Sequence, residues 1–112
     1  MILFLLSSLA FANDPMENYT PSNLTSYDSL NEAFSKLSQN NKRRSECFDR
    51  AHYWSYQMHH DLNLNSVKYF VFFTKKYKRE IHGEWWFHVA PGLKLQSQEY
   101  VLDPEFLTKP VS

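Results

Sequence analysis

Three observations predict an α+β fold. Apolar residues recur at helical spacing in the first half of the chain, β-branched and aromatic runs fill the second half, and helices therefore precede strands. That order favours N-terminal helices packed on a small antiparallel β-sheet. At 112 residues, 43% hydrophobic and 17% aromatic, the chain suits one domain. Twelve basic and twelve acidic side chains cancel, so no overall field draws the protein to nucleic acid or to an anionic membrane. Function must be sought in a site.

The first residues, MILFLLSSLAFAND, join an apolar run to Ala10-Phe11-Ala12, the small-x-small pattern of a signal-peptidase site, although the usual positive n-region is absent. The run is too short to span a bilayer. Residues 1–12 are expected to be a signal peptide, which implies a secreted or periplasmic protein with no stable membrane anchor after cleavage. A plain apolar helix is the competing reading. Residues 13–26 are polar, carry two prolines and read as a flexible lead-in to a domain over residues 27–112.

Leu30, Ala33, Phe34 and Leu37 predict an amphipathic helix over 27–38, capped by Ser26, Asp28 or Ser29. QNNKRRS then reads as a loop. Cys47, Ala51, Trp54 and Met58 share one face and predict a second helix over about 45–60. VKYFVFFT, EWWFHVA and EYVLD read as strands, with KKYKRE and PGLKLQSQ as their connections. If EWWFHVA and EYVLD form a hairpin, residues 88 and 103 can share one sheet face, opposite or diagonal.

Cys47 is the only cysteine, so it has no partner for a disulfide within its own chain. At a helix start, unpaired backbone N–H groups and the positive end of the helix dipole favour thiolate, and the same groups, that of Cys47 included, can donate to an oxyanion. Such a nucleophile needs a base that also protonates the leaving amine. Among five histidines, His52, His59 and His60 share the cysteine's own helix but cannot reach its sulfur, and His82 reads as a loop residue. His88 lies within a strand, where packing can hold its ring, and Asp103, stopped by Pro104, can orient it. Cysteine on a helix, histidine on a strand and carboxylate on the next strand is a cysteine-hydrolase layout. The competing use of each residue is structural: a core thiol, a satisfied strand histidine, an Asp-Pro turn, and tryptophans in the core. A zinc site using Cys47 with His59, His60 or Asp61 lacks any familiar ligand spacing.

The blocks Cys47-Phe48-Asp49-Arg50-Ala51, Trp86-Phe87-His88-Val89-Ala90-Pro91 and Val101-Leu102-Asp103-Pro104 resemble, in order and spacing, the bacterial protein glutaminases. The likeness covers about residues 42–110. It implies a papain-like or transglutaminase-like core with Cys47 as nucleophile, His88 as general base and acid, and Asp103 as orienting residue. It implies hydrolysis of glutamine side chains in proteins or peptides to glutamate and ammonia, with no metal or cofactor. Asn41 is where papain-like enzymes supply a side-chain amide, so it joins Cys47 as a candidate oxyanion donor. Trp85 and Trp86 are candidate walls of the substrate cleft. Members of that family continue well past the aspartate block, whereas this chain stops nine residues after Asp103, so a fragment or a reduced variant is expected. A transglutaminase-like acyltransferase, a cysteine peptidase and a non-catalytic exported binding module remain open alternatives.

Overall fold

Ser26 starts the first helix by accepting the Ser29 N–H on its hydroxyl at 3.2 Å, which satisfies one of the orphan donors of the first turn. The computed structural model describes residues 18–37, 46–80 and 86–112. Among the described residues seven elements follow one another: β1 (Asn23–Leu24), α1 (Tyr27–Lys36), α2 (Cys47–Leu62), β2 (Val67–Phe72), α3 (Lys75–Glu80), β3 (Phe87–Leu95) and β4 (Gln98–Val101). The fold is α+β, with three helices and a four-stranded sheet among the described residues. The proposed signal segment, residues 1–12, lies outside the described residues, as do Asn41, His82 and Trp85.

α2 buries the predicted stripe of Cys47, Ala51, Trp54 and Met58, together with Arg50, which the periodicity did not mark. It runs two residues past the expected end, because Asn63 takes a left-handed conformation (φ 54°) and closes the helix with its N–H on the His59 carbonyl. Leu30, Ala33 and Leu37 meet Trp54, Met58, Leu93 and Leu102 in the main core. A smaller cluster joins Cys47, Ala51 and Val89, with Phe87 packed against it.

The sheet departs from the antiparallel expectation at one strand. β2 and β4 pair antiparallel with β3, but β1 lies parallel to it, with Asn23 opposite Lys94. β1 belongs to the supposed flexible lead-in, whose described part is tied down through Asn65. The Asn65 side chain donates to the Thr20 carbonyl, its N–H donates to the Ser22 hydroxyl, and its carbonyl accepts the Ser22 N–H. Polar composition concealed this, because the partners lie more than forty residues away along the chain.

Both expected connections carry regular structure. KKYKRE forms α3, capped by the Thr74 hydroxyl on the Tyr77 N–H, since lysine, arginine and glutamate are good helix formers. PGLKLQSQ is mostly strand: β3 continues through Pro91 and Gly92, and only Gln96 and Ser97 turn the chain. Pro91 is tolerated because its carbonyl faces the β4 side, accepting the Leu102 N–H at 2.9 Å, so the missing proline N–H faces that side too. No hydrogen bond to β2 is lost.

Alternation along β3 divides its neighbours. Val89 and Leu93 pack with the helices, and Lys68, paired with Pro91, reaches His52 of α2 on that same face. His88, Ala90 and Gly92 turn to the other face. There the Tyr69 ring lies directly over Gly92, and a Cβ at that position would meet the ring and stand 2.6 Å from the Tyr100 carbonyl. Gly92→Ala is therefore expected to destabilise the protein by about 1–3 kcal/mol, measured by denaturant unfolding, with an unchanged midpoint contradicting this packing.

Candidate functional site

The site begins with a turn. Gln96 (φ 48°) and Ser97 (φ 68°) both hold left-handed backbone, which makes a tight two-residue hairpin and sets Leu93 opposite Tyr100 and Gly92 opposite Val101. Carried past Leu102, this register brings Asp103 diagonal to His88 on one face. The two side chains meet there, with His88 Nε2 and Asp103 Oδ2 2.7 Å apart. The Asp103 side chain is 4% exposed and that of His88 20%.

Asp103 is bonded at several atoms. Its Oδ1 accepts the Glu105 N–H at 3.1 Å, and its carbonyl accepts the N–H groups of Phe106 and Leu107. An ionised carboxylate only accepts, so a neutral imidazole carries its proton on Nε2 and leaves Nδ1 as the basic nitrogen. The same turn delivers Phe106, whose ring meets His88 edge to face, centroids 5.1 Å apart at 88°. Periodicity gave no sign of Phe106, although its place three residues after Asp103 in a turn was the available clue. On this face of the sheet, burial and then the nearby Glu99 carboxylate hold the Tyr69 hydroxyl above its usual pKa.

Cys47 is the first residue of α2, a free thiol 6% exposed. Glu46 precedes it without a side-chain cap, so the first-turn N–H groups gain no partner from that residue. The thiol packs with Ala51, Val89 and Phe87, the last two being the chain neighbours of His88. The structure thus joins His88 to Asp103 and sets Cys47 against the residues on either side of His88, on the helix face of β3. Trp86 is 59% exposed and touches Phe72 and Phe87, so it is not a core residue.

The remaining described histidines are engaged elsewhere: His52 with Lys68, His59 with Asn65, His60 with Asp61. Cys47 and His59 stand at opposite ends of one continuous helix, roughly 18 Å apart along its axis. They cannot share a zinc ion. Among the described residues no group of three or more His, Cys, Asp or Glu side chains is placed to hold a metal, and no helix is long and apolar enough to cross a membrane.

A glutaminase family model matches residues 25–112, a span that includes α2, His88 and Asp103. No curated protein and no solved structure matches the chain.

The His88–Asp103 bond has a spectroscopic consequence. In Asp103→Asn the new amide can donate to Nε2, moving the imidazole proton to Nδ1. Nitrogen NMR of labelled histidine should report that tautomer change at neutral pH, and an unchanged tautomer would show that Asp103 does not orient the ring.

Proposed function

Because the chain belongs to the glutaminase family, we propose that it hydrolyses the side-chain amide of protein-bound glutamine through Cys47, His88 and Asp103. Family membership supports glutamine deamidation in general. The observation that carries the finer reading is the 2.7 Å His88–Asp103 bond, made on the strand whose adjoining residues Phe87 and Val89 pack on the Cys47 cluster.

In the first half-reaction, Nδ1 of His88 takes the thiol proton and Cys47 sulfur attacks the glutamine Cδ. The carbonyl oxygen becomes an oxyanion, held by N–H groups at the start of α2, with Asn41 as the second donor. Collapse of the tetrahedral adduct breaks the C–N bond. The His88 imidazolium gives its proton to the departing nitrogen, releasing ammonia and leaving a thioester. In the second half-reaction His88 deprotonates a water, which adds to the thioester carbonyl, and expulsion of sulfur yields glutamate and regenerates the thiol. Asp103 does not exchange protons; it fixes the ring and stabilises its cationic form.

One geometric condition follows from the sheet. His88 and the Cys47 cluster lie on different faces of β3, so sulfur must meet imidazole around the strand's margin rather than across a face. β4 pairs with β3 only from Gly92 to Leu95, and among the described residues no strand pairs with residues 87–90 on that side. Trp86 stands at the same end of β3 and suits a wall of the substrate cleft, with Trp85 beside it in sequence.

Export belongs to the same reading, supported by the apolar run and Ala10-Phe11-Ala12. Sequencing of the protein recovered outside the producing cell's inner membrane should give Asn13 as the first residue; retention of residues 1–12 on a cytoplasmic protein would contradict it.

The activity is tested with an unfolded glutamine-rich protein as substrate, following ammonia, chain cleavage and cross-linking together. Ammonia release without fragments or cross-links is expected, falling by about a thousandfold or more in Cys47→Ala. Fragments would assign a peptidase and covalent oligomers a transferase. Undiminished ammonia release from Cys47→Ala would overturn the role of the thiol.

A further inference from the structure

β2 is an edge strand of the sheet, bonded to β3 alone among the described residues. An edge strand offers alternate N–H and C=O groups to any extended chain that lies beside it. Natural edges are commonly blunted by charge or proline, yet the outer half of β2 is Phe70, Val71 and Phe72, respectively 49%, 55% and 63% exposed. Its apolar surface is continuous with the site. Phe70 stacks on Phe72 and on Phe87, each at 6.3 Å, and Trp86 lies 5.8 Å from Phe72 and 4.6 Å from Phe87. Phe87 in turn packs against the cluster of Cys47, Ala51 and Val89. Four rings thus run from the sheet edge to the nucleophile's surroundings, and three of them are about half exposed or more. Contiguous exposed aromatic surface marks a binding site rather than ordinary protein surface.

Charge points to the occupant. The whole chain is neutral, but α3 follows the strip at once and places Lys75, Lys76, Lys78 and Arg79 against the single carboxylate of Glu80. α3 is fastened to this end of the sheet, because the Phe73 N–H donates to the Trp86 carbonyl at 2.8 Å and the Phe73 and Tyr77 rings meet at a tilt with centroids 5.2 Å apart. An aromatic track with a free backbone edge and a cationic end fits an extended polypeptide with apolar side chains along the track and carboxylates at one end.

We propose that the outer edge of β2 and its aromatic strip capture an unfolded, glutamine-bearing segment whose acidic flank lies at α3, presenting the amide at Cys47. This names a substrate class for the reading given under Proposed function and rests on it. Backbone pairing along the edge tolerates many sequences, whereas the strip and α3 select apolar segments with acidic flanks. Glutamines in folded helices are thereby disfavoured.

Binding is measured without turnover, by fluorescence anisotropy of labelled glutamine peptides with the Cys47→Ala protein. An apolar glutamine peptide with glutamates at one end should bind more tightly than the same peptide with lysines there. Phe72→Ser, and independently Phe70→Ser, should weaken binding about tenfold or more, and the double change Lys75→Glu with Lys76→Glu should reverse the preference between the two peptides. Equal binding by all these folded variants overturns the proposal. So does a Phe72-dependent dimer in sedimentation, which would assign the strip to a second copy of the chain. Phe72-dependent adsorption to phosphatidylserine vesicles without peptide binding would assign it to a membrane and likewise overturn it. Strip-dependent binding in a wild-type protein that releases no ammonia would sink the enzymatic reading alone; normal ammonia release with strip-independent binding would sink only this one.

Discussion

The register between β3 and β4 is the constraint on which the site depends. Two residues, Gln96 and Ser97, absorb the reversal in left-handed backbone, and every cross-strand relation follows from that turn. A slip by one residue would carry Asp103 to the helix face and expose Leu102, which is 0% exposed in the core. Burial of Leu102 therefore enforces the side from which Asp103 approaches His88. Hydrophobic packing and site geometry are set by the same register, so neither can change alone.

α2 makes the complementary contribution. Its apolar stripe spans the helix from Cys47 at the first residue to Met58 in the last turns, and the far end is anchored by Trp54 and Met58 against Leu93 and Leu102. Fixing one end of a rigid helix in the main core aims its other end at the start of β3. Cys47 then sits at the first turn of the helix, whose N–H groups gain no side-chain cap from Glu46, with Val89 and Phe87 packed in its cluster. A buried thiol at a helix start, beside a strand that carries a held imidazole, suits the acyl chemistry proposed for it, because the scaffold would supply both electrostatics and orientation.

Much of this was legible in the sequence because the signals are local. The stripe of Cys47, Ala51, Trp54 and Met58 has helical spacing, VKYFVFFT has strand composition, and a hairpin suffices to bring residues 88 and 103 together. What escaped depended on distant partners or on unusual turn chemistry. Pro91 and Gly92 read as a break, yet one loses an N–H that β2 never uses and the other makes room for Tyr69. Gln96-Ser97 lacks the glycine or asparagine that normally announces such a turn. The order of Thr20 and Ser22 escapes a local reading because Asn65 bonds them from across the chain. Phe106 was invisible because its position over His88 comes from the turn after Asp103, not from any periodicity.

In the proposed reaction the sulfur of Cys47 becomes covalently bonded to the glutamine carbonyl carbon. Rapid acid quenching of the wild-type protein during turnover of a glutamine peptide, followed by intact-mass and fragment analysis, looks for that bond directly. The expected result is an adduct with the mass of the peptide less ammonia, located on Cys47 and lost on treatment with hydroxylamine. Turnover at full rate with no such adduct, or an adduct on any other residue, would contradict it.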